Sequence, residues 1–484
     1  MSPSINPFNQ EKYNALMDGL ECVELPISKI GETYDFRIES EFYKKEYIEI
    51  QQRLEKLNSR MLSNGLSELI TDGTHYTPDY KEEGVPFLSA INVQENYLDL
   101  NAGYKYISKE QHKELSRRVL PRANDVLLRK VGVGMRKACV IPENTFEFSI
   151  FVSVALIRSK INPYILSTYI NSKYGQTQLL RFNKGISQPD LHLEDIGRML
   201  IPTFSDTLTK KIHSMILDSD HLLKKSQQTM QHAANILEDF LDLTELTLMT
   251  ETSSVKTLSE SFGVSARLDA EYYQTKYEHY DKIVKDGNNG FTFIYQQFDL
   301  VNDKCDRLLP QYCYAEIGDV NVGDGVVNPN IVKTEELPDN AKIMTRANDI
   351  LVSTVRPNRG AVAILNQDDI LASGAFTVLR EKGDYPKEVL QVLLRLEMYR
   401  DWMLRYNVGT SYPVIKSNDI LNLPIPVLDE TTKTTVVEDV KKSFILRQEA
   451  KQLLELSVRT IELAVETDEE TAISWIESQN TKEE

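Results

Sequence analysis

The stretch that decides the fold runs from Asp206 to about Leu243 and reads DTLTKKIHSMILDSDHLLKKSQQTMQHAANILEDFLDL. Alternating steps of four and three residues select a row of mostly apolar or small side chains: Ile212, Ile216, Ser219, Leu223, Ser226, Met230, Ala233, Leu237 and Phe240. A heptad row of this length predicts one long helix that packs against a partner helix.

The partner is found by moving 224 positions along the chain, from Ile212 to Val436. The shifted row is again mostly apolar or small, and only Arg447 clearly interrupts it: Val436, Val440, Ser443, Arg447, Ala450, Leu454, Ser457, Ile461 and Ala464. It predicts a second long helix over 431–465. A single heptad row more often marks the packed face of a helix bundle than a coiled coil. Here the rows stand 224 positions apart throughout, so a chance match is unlikely and the offset indicates a tandem duplication.

Short phrases before each helix repeat as well. Gly185-Ile-Ser-Gln-Pro189 recurs 224 positions later as Gly409-Thr-Ser-Tyr-Pro413, and each is followed by Asp-Ile and then Ile-Pro. Arg122-Ala-Asn-Asp-Val-Leu-Leu128 recurs as Arg346-Ala-Asn-Asp-Ile-Leu-Val352. We therefore expect two globular units of one fold, each followed by a long helix.

The opening of each unit repeats at an offset of 230, with Arg37-Ile-Glu-Ser-Glu-Phe-Tyr in the first and Arg267-Leu-Asp-Ala-Glu-Tyr-Tyr in the second. We interpret this phrase as a structural clasp, because nothing in it pairs a nucleophile with a base. The halves differ after the Arg-Ala-Asn-Asp strands, where Arg129-Lys-Val-Gly-Val-Gly-Met-Arg-Lys137 stands opposite Ser353-Thr-Val-Arg-Pro-Asn-Arg-Gly360. The two units should share a fold but not a surface.

The predicted fold class is α+β: a duplicated mixed α/β domain whose two long helices pair as a coiled coil, antiparallel if the two units lie at its opposite ends. The predicted divisions are a first globular domain over 1–204, a first long helix over 205–250, a second globular domain over 251–428, and a second long helix with an acidic tail over 429–484. Residues 465–484 are expected to be solvated, because acidic side chains dominate them.

Composition narrows the class of protein. The 484 residues carry a formal net charge of -17, which argues against unspecific coating of nucleic acid. Basic residues nevertheless crowd one short region, which is as consistent with an ordinary solvated face as with a phosphate-facing patch: Lys113, Arg117, Arg118, Arg122, Arg129, Lys130, Arg136 and Lys137. Without a run of about eighteen apolar residues or a secretory signal, a cytoplasmic protein with no membrane partner is expected. Its four cysteines lack zinc-type pairing.

Motifs of catalysis are missing from the sequence. No amino-methyltransferase signature, Walker-type phosphate loop or His-Glu-x-x-His motif occurs, and the seven histidines show no metal-ligand spacing. We therefore expect neither a catalytic residue nor a metal site in this chain.

These repeats resemble the specificity subunits of type I restriction-modification systems. The resemblance rests on the Arg-Leu-Asp-Ala-Glu-Tyr-Tyr opening, Gly84-Val-Pro-Phe-Leu-Ser-Ala-Ile-Asn-Val93, the Arg-Ala-Asn-Asp strands, the Gly-x-Ser-x-Pro turns with Ile-Pro after them, and the two long helices. It extends from about Arg37 to Ala464, and the order of the phrases is more specific than any one of them. The opening at Arg37 is a weakened copy, and the acidic tail is also a departure.

The resemblance implies a non-catalytic DNA-recognition subunit that reads an asymmetric bipartite site in double-stranded DNA. Its implied partners are DNA methyltransferase subunits, two of them expected, and restriction/translocase subunits of an antiviral restriction system. DNA methylation would then use S-adenosylmethionine, and cleavage ATP and Mg²⁺, all bound by partner subunits. Two alternatives stay open: a coiled-coil scaffold that reads no DNA, and an unrecognised nuclease or methyltransferase.

Two sets of residues carry the site predictions. The predicted DNA-binding residues lie on loops after β-rich segments: His75, Asn92, Arg129, Lys130, Arg136, Lys137, Arg356, Asn358 and Arg359. The predicted partner-docking helices are marked by residues of the two heptad rows, called the seam residues: Ile212, Ile216, Leu223, Met230, Leu237, Val436, Val440, Leu454 and Ile461.

Overall fold

A computed structural model describes residues 8–20, 23–32, 36–100, 102–132, 136–184, 190–243, 254–287 and 289–480. These residues form two compact units. Unit 1 takes in the described parts of Met1–Asp220 and Ala450–Glu484, and unit 2 those of His221–Glu449. The division falls inside the two long helices, which extend over Asp206–Phe240 and Glu430–Glu466. Each unit therefore includes a part of both helices.

Unit 1 is built on three sheets. A four-stranded antiparallel sheet has the order Ser67–Asp72, Val154–Ser159, Val126–Arg129, Ala138–Val140. A three-stranded sheet has the order Lys105–Ile107, Val85–Leu88, Ser149–Ile150, and Arg60–Met61 pairs with Leu200–Ile201. Apart from the long helices, its α-helices are Gln10–Met17, Lys45–Lys56, Lys109–Leu115, Pro163–Asn171, Lys173–Phe182, Leu193–Gly197 and Glu469–Asn480.

Unit 2 repeats this plan. Its antiparallel four-stranded sheet has the order Phe298–Leu300, Phe376–Glu381, Ile350–Ser353, Val362–Ile364. A mixed sheet has the order Asn330–Lys333, Gln311–Ala315, Ile370–Ser373, Ala341–Met344, and two pairs join Phe291–Phe293 to Pro424–Pro426 and Val320–Asn321 to Val326–Val327. Its α-helices outside the long pair are Phe262–Ser265, Thr275–Lys285, Ile294–Gln297, Lys387–Arg395, Glu397–Leu404 and Ser417–Leu421. The mixed α+β class and the shared strand order agree with the predicted duplication.

The repeated Arg-Ala-Asn-Asp phrase has the same role in both units. Asn124 and Asn348 adopt left-handed φ angles of 68° and 73°, a conformation that asparagine tolerates better than most residues. The following aspartate is buried and accepts a backbone hydrogen bond from the arginine that opens the phrase, which closes the turn. Its carboxylate also pairs with a second arginine on a neighbouring strand, Arg158 in unit 1 and Arg380 in unit 2.

The opening phrase forms a clasp in both units. In unit 1, the guanidinium carbons of Arg37 and Arg181 lie 4.5 and 4.1 Å from the centroid of the Phe42 ring. In unit 2, those of Arg267 and Arg405 lie 4.8 and 4.6 Å from the Tyr272 ring. The next tyrosine, Tyr43 or Tyr273, donates a hydrogen bond to the carbonyl of the first arginine.

The helical spacing of apolar residues predicts helices over 162–182 and 386–406, and each of these segments is divided into two helices. The break falls at Ser172 in unit 1 and at Leu396 in unit 2, both with extended backbone angles. Ser172 Oγ accepts a hydrogen bond from Gly175 N and so caps the second helix. A Cβ at Gly175 would lie 2.3 Å from Tyr169 O, which makes glycine necessary where the two helices meet.

The long helices make contact within each unit. In unit 1, Ser219 Oγ donates to Ala450 O at 3.0 Å. In unit 2, Ser226 Oγ donates to Ser443 O at 2.9 Å, and His232 contacts Asp439, so the partner position falls as the chain position rises. The segments in unit 2 are therefore antiparallel. Pairing of the two helices as one coiled coil along their length stays a prediction.

Two details of the C-terminal part of the chain go beyond what the sequence predicts. The stretch expected to be a solvated tail contains the helix Glu469–Asn480, which buries Ala472 in the core of unit 1 and also buries Ile476. Its acidic side chains occupy the outer face, and Glu477 forms an ion pair with Lys211. Arg447, which interrupts the apolar row, is neutralised by the buried Asp324 of unit 2.

None of the helices in the described residues is long and apolar enough to cross a membrane.

Candidate nucleic-acid interface

The loop after the strand Ile350–Ser353 presents the predicted DNA-binding residues of unit 2 to solvent. Arg356, Asn358 and Arg359 are all exposed. Arg356 has a left-handed φ of 52°, and Pro357–Arg359 form a short 3₁₀ turn that ends at Gly360, with a φ of 75°. The strand thus ends in a tight loop that directs two arginines and an asparagine outward.

The Gly409–Pro413 turn lies directly beside this loop. Arg356 N donates to Pro413 O at 2.7 Å, and Ile415 N donates to Thr354 O at 2.9 Å. The guanidinium carbon of Arg356 is 5.4 Å from the centroid of the Tyr412 ring. Exposed Lys416 follows in the same segment, so the loop and the segment beside it together carry three exposed cationic side chains and an exposed tyrosine.

These three cations are available to a ligand. In the part of the chain that the structure describes, the side chains of Arg356, Arg359 and Lys416 form no ion pair with an acidic residue. Guanidinium groups donate to phosphates and to the edges of bases, and two arginines beside a lysine suit both tasks.

The corresponding loop of unit 1 places its cations differently. Lys130 is buried, with Nζ 3.1 Å from Asp190 Oδ1 and 3.5 Å from Asp72 Oδ2. Lys137 Nζ donates to Gln94 Oε1 at 3.1 Å and lies 3.8 Å from Glu95. Arg136 Nε donates to Gln176 at 3.4 Å. Burial lowers the pKa of the guanidinium groups of Arg129 and Arg136. The tip of this loop, 133–135, and the predicted Gly185–Pro189 turn lie outside the described residues.

For two of the predicted DNA-binding residues, Asn92 and Lys130, the surroundings contradict the prediction. Asn92 is fully buried, where its side chain donates to Asp99 O and Gly103 O and accepts from Ser89 N. All of its hydrogen-bonding groups are used within the loop, so it does not reach a base. Lys130 is equally unsuited to contacting phosphate directly, because it neutralises two carboxylates inside unit 1.

His75 lies on a charged cluster of unit 1 that the sequence did not reveal. Its exposed imidazole Nε2 is 3.2 Å from Oδ1 of the buried Asp72, which also accepts a 2.7 Å hydrogen bond from Arg118. The preceding Gly73 packs so closely that a Cβ would lie 2.1 Å from Ile150 O. Arg118 is half exposed and joins His75 on this surface. In the sequence, only the position of Arg118 in the basic stretch indicates that it could contact DNA.

The basic stretch as a whole is only partly solvent-facing. Three of its residues are exposed, and their side chains form no ion pair with any residue in the described ranges: Lys113, Arg117 and Arg122. With Arg118 they provide four exposed cations in unit 1. Their predicted role in contacting phosphate stays a prediction.

The predicted seam residues are buried inside the chain's own units. All nine belong to the hydrophobic cores or their margins: Ile212, Ile216, Leu223, Met230, Leu237, Val436, Val440, Leu454 and Ile461. They therefore pack the chain against itself and do not contact a partner directly. Docking by the helices would use other faces, such as those that expose Leu217 in unit 1 and Ile445 in unit 2.

Comparison with known proteins gives structural matches only. No family model and no curated protein matches the chain. Solved structures that it resembles include the S subunit of a type I restriction-modification system from M. genitalium, at 11% identity and a TM-score of 0.34, over 86% of this chain and 95% of that one. The HsdS subunit from Thermoanaerobacter tengcongensis matches at 14% identity and a TM-score of 0.27, over 85% and 96%. A structure from a study of complex assembly in the type I R-M system matches at 13% identity and a TM-score of 0.26, over 85% and 97%.

Proposed function

We propose that this chain is the DNA sequence-specificity subunit of a type I restriction-modification complex. One observation carries the proposal: two units have the same strand order, clasp and buried ion pair, yet differ in the loops that follow their matching strands. Two readers of one fold with different loops suit a site whose two halves differ, whereas identical copies would favour a palindrome.

In unit 2, the reading surface is the loop that carries Arg356, Asn358 and Arg359. An arginine can donate two hydrogen bonds to O6 and N7 of a guanine, and an asparagine can pair in the same way with an adenine. The remaining cations would contact phosphates, which hold the duplex in register without reading its sequence. In unit 1, His75 and Arg118 on the Asp72 cluster are the corresponding candidates.

The chain would carry out no chemistry by itself. The proposal assigns methyl transfer to two DNA methyltransferase subunits that bind S-adenosylmethionine, and cleavage to restriction/translocase subunits that use ATP and Mg²⁺. Docking of these subunits would use the outer faces of the long helices. The helices would also set the separation of the two half-sites.

The test is a methylome comparison in the native host. Deleting the gene should remove methylation from one bipartite motif, and restoring the gene should bring it back. Complementation with a chain whose 354–360 loop is replaced by alternating glycine and serine should then leave the motif's first half intact and lose its second. An unchanged methylome after deletion would contradict the proposal.

A second experiment separates reading of bases from contact with phosphates. In the assembled complex, losing a bidentate arginine–guanine contact through Arg356→Ala should cost about 1–3 kcal/mol and relax one base position. Losing a phosphate contact should instead weaken binding to all sequences and reduce its salt dependence. Arg405→Ala is not a suitable control, because that arginine belongs to the clasp. Lys333→Ala, at an exposed position of the strand Asn330–Lys333 in unit 2, is the matched loss of one positive charge.

A further inference from the structure

The Gly409–Pro413 turn presents Tyr412 to solvent next to the DNA-reading loop of unit 2. Tyr412 is 47% exposed, although most tyrosines of this unit are packed inside it. The guanidinium carbon of Arg356 lies within the range of about 6 Å over which a cation is attracted to an aromatic ring. Within the described residues, the Arg356 guanidinium forms no ion pair, and the Tyr412 ring is the group that it contacts.

Hydrogen bonds to the Asn407 side chain hold the turn that carries Tyr412 in place. Asn407 Oδ1 accepts hydrogen bonds from Gly409 N at 2.8 Å and Val414 N at 2.9 Å, which ties the two ends of the turn together. Arg267 of the clasp donates to Asn407 O at 2.9 Å. A Cβ at Gly409 would lie 2.0 Å from Tyr412 O, so the backbone closes tightly on glycine. The position of Tyr412 therefore follows from the scaffold of unit 2.

We propose that Tyr412 is a specificity-determining residue of unit 2, and that the turn which carries it acts on DNA reading by positioning Arg356 of the 354–360 loop. Its ring restricts the guanidinium of Arg356 to orientations that suit the edge of a guanine. The inference rests on the proposed function and names a residue and a base type within it. The ligand is a G·C base pair, read in the major groove.

Restriction of the guanidinium matters because a free arginine side chain loses much rotamer freedom when it binds. A ring that already limits those rotamers reduces this loss for the correct base. A cation–π contact at an exposed site is worth about 0.5–1 kcal/mol, which corresponds to roughly a two- to fivefold preference. Removing the ring should reduce the guanine preference by that factor, and removing Arg356 should reduce it further.

The experiment measures the base preference of the complex of this chain with its methyltransferase partner. Duplexes carry the recognised site with each base pair of the second half-site replaced in turn, and initial methylation rates are compared. The variants are Tyr412→Ala, Tyr412→Phe, Arg356→Ala and the double variant with both alanines. Tyr295→Ala is the control, because Tyr295 is also exposed in unit 2 but stacks on Phe293.

The expected result is a loss of about two- to fivefold in preference at one base pair with Tyr412→Ala, at the same position that Arg356→Ala relaxes. Tyr412→Phe should keep most of the preference, because the ring remains. The double variant should be no more relaxed than Arg356→Ala alone, since the ring acts through the arginine. Preferences in the first half-site should not change in any variant.

The inference is overturned if Tyr412→Ala leaves the preference unchanged while Arg356→Ala relaxes it. It is also overturned if Tyr412→Ala slows methylation of all duplexes equally, because the ring would then serve only general binding. If the unaltered complex shows no base preference in either half-site, the proposed function itself fails. Fluorescence of buried Trp402 checks that unit 2 is folded in each variant.

Discussion

Arg380→Met tests the buried ion pair that both units build from the Arg-Ala-Asn-Asp phrase. In unit 2, Arg380 donates from Nε and Nη2 to the two oxygens of Asp349, both at 2.7 Å. Asp349 is fully buried, and Oδ2 also accepts from Arg346 N at 2.8 Å. The substitution keeps an unbranched side chain of similar length but leaves a carboxylate without its counter-charge inside the unit.

Breaking one side of a buried ion pair costs about 3–5 kcal/mol, because the remaining charge is neither solvated nor paired. The side chain of Arg380 is 32% exposed, so water already screens part of the interaction. We therefore expect the lower end, about 3 kcal/mol in the free energy of unfolding of unit 2. For a unit of this size, that loss lowers the melting temperature by roughly 6–12 °C.

Tryptophan fluorescence measures this effect in one unit. The chain has two tryptophans, the buried Trp402 in unit 2 and Trp475 in unit 1, so a Trp475→Phe background reports unit 2 alone. Thermal and urea unfolding would be followed for Arg380→Met, Asp349→Asn and the double variant. Asparagine keeps an acceptor for Arg346 N and removes the buried charge.

The decisive outcome is a change of sign. Asp349→Asn should destabilise the original chain but stabilise the Arg380→Met variant, because there it removes an unpaired buried carboxylate. If Asp349→Asn lowers stability equally in both backgrounds, the two side chains act independently and the reasoning is wrong. Asp125→Asn and Arg158→Met provide the matched test in unit 1, read with Trp475 in a Trp402→Phe background.

Gly409→Ala should abolish recognition of the second half-site, because its Cβ would lie 2.0 Å from Tyr412 O; methylation of duplexes altered in that half checks this, and retained preference would refute it. The hydrogen bond from Arg267 lowers the pKa of Asp269, so its contribution to stability is present above about pH 4 and is lost as the pH falls through the lower folded-state pKa. Melting temperatures of Asp269→Asn and the unaltered chain should therefore converge in acid, and a difference that persists there would contradict this. Seven-residue insertions after both 220 and 449 should lengthen each helix by roughly 10 Å and widen the recognised gap by about three base pairs, as methylome sequencing would report; an unaltered gap in an active complex would show that the helices do not set it.

Much of the fold follows from the repeats alone. The heptad row predicts the second long helix over 431–465, and the helix extends over Glu430–Glu466. The prediction holds because the one charged side chain in the row is neutralised by a residue elsewhere in the chain. Arg447 is the interruption, and Asp324 is its compensation. The sequence identified the arginine as an exception but offered no means of finding a partner 123 positions away (447 minus 324).

Local errors have local causes. The helical spacing around Asn162–Phe182 is continuous, so periodicity alone does not reveal the break at Ser172, which depends on a serine cap and a close glycine contact. The acidic end was expected to be solvated because its charge was averaged over the whole stretch. Its small and apolar residues, Ala472 and Ile476, are four positions apart and form one buried side of a helix.

Comparing the two units separates residues of the shared scaffold from residues that could read DNA. The residue type of Asn92 suggests a contact with a base, but its hydrogen bond from Ser89 N recurs 227 positions later, where Asp319 accepts from Glu316 N. A contact made in both units belongs to the shared scaffold, because the two units would read different sequences. Arg356 and Tyr412 have no such counterpart, since the positions 224 residues earlier hold Gly132 and Gln188. Exposed residues whose contacts are not repeated in the other unit are therefore where differences between the two half-sites should be sought.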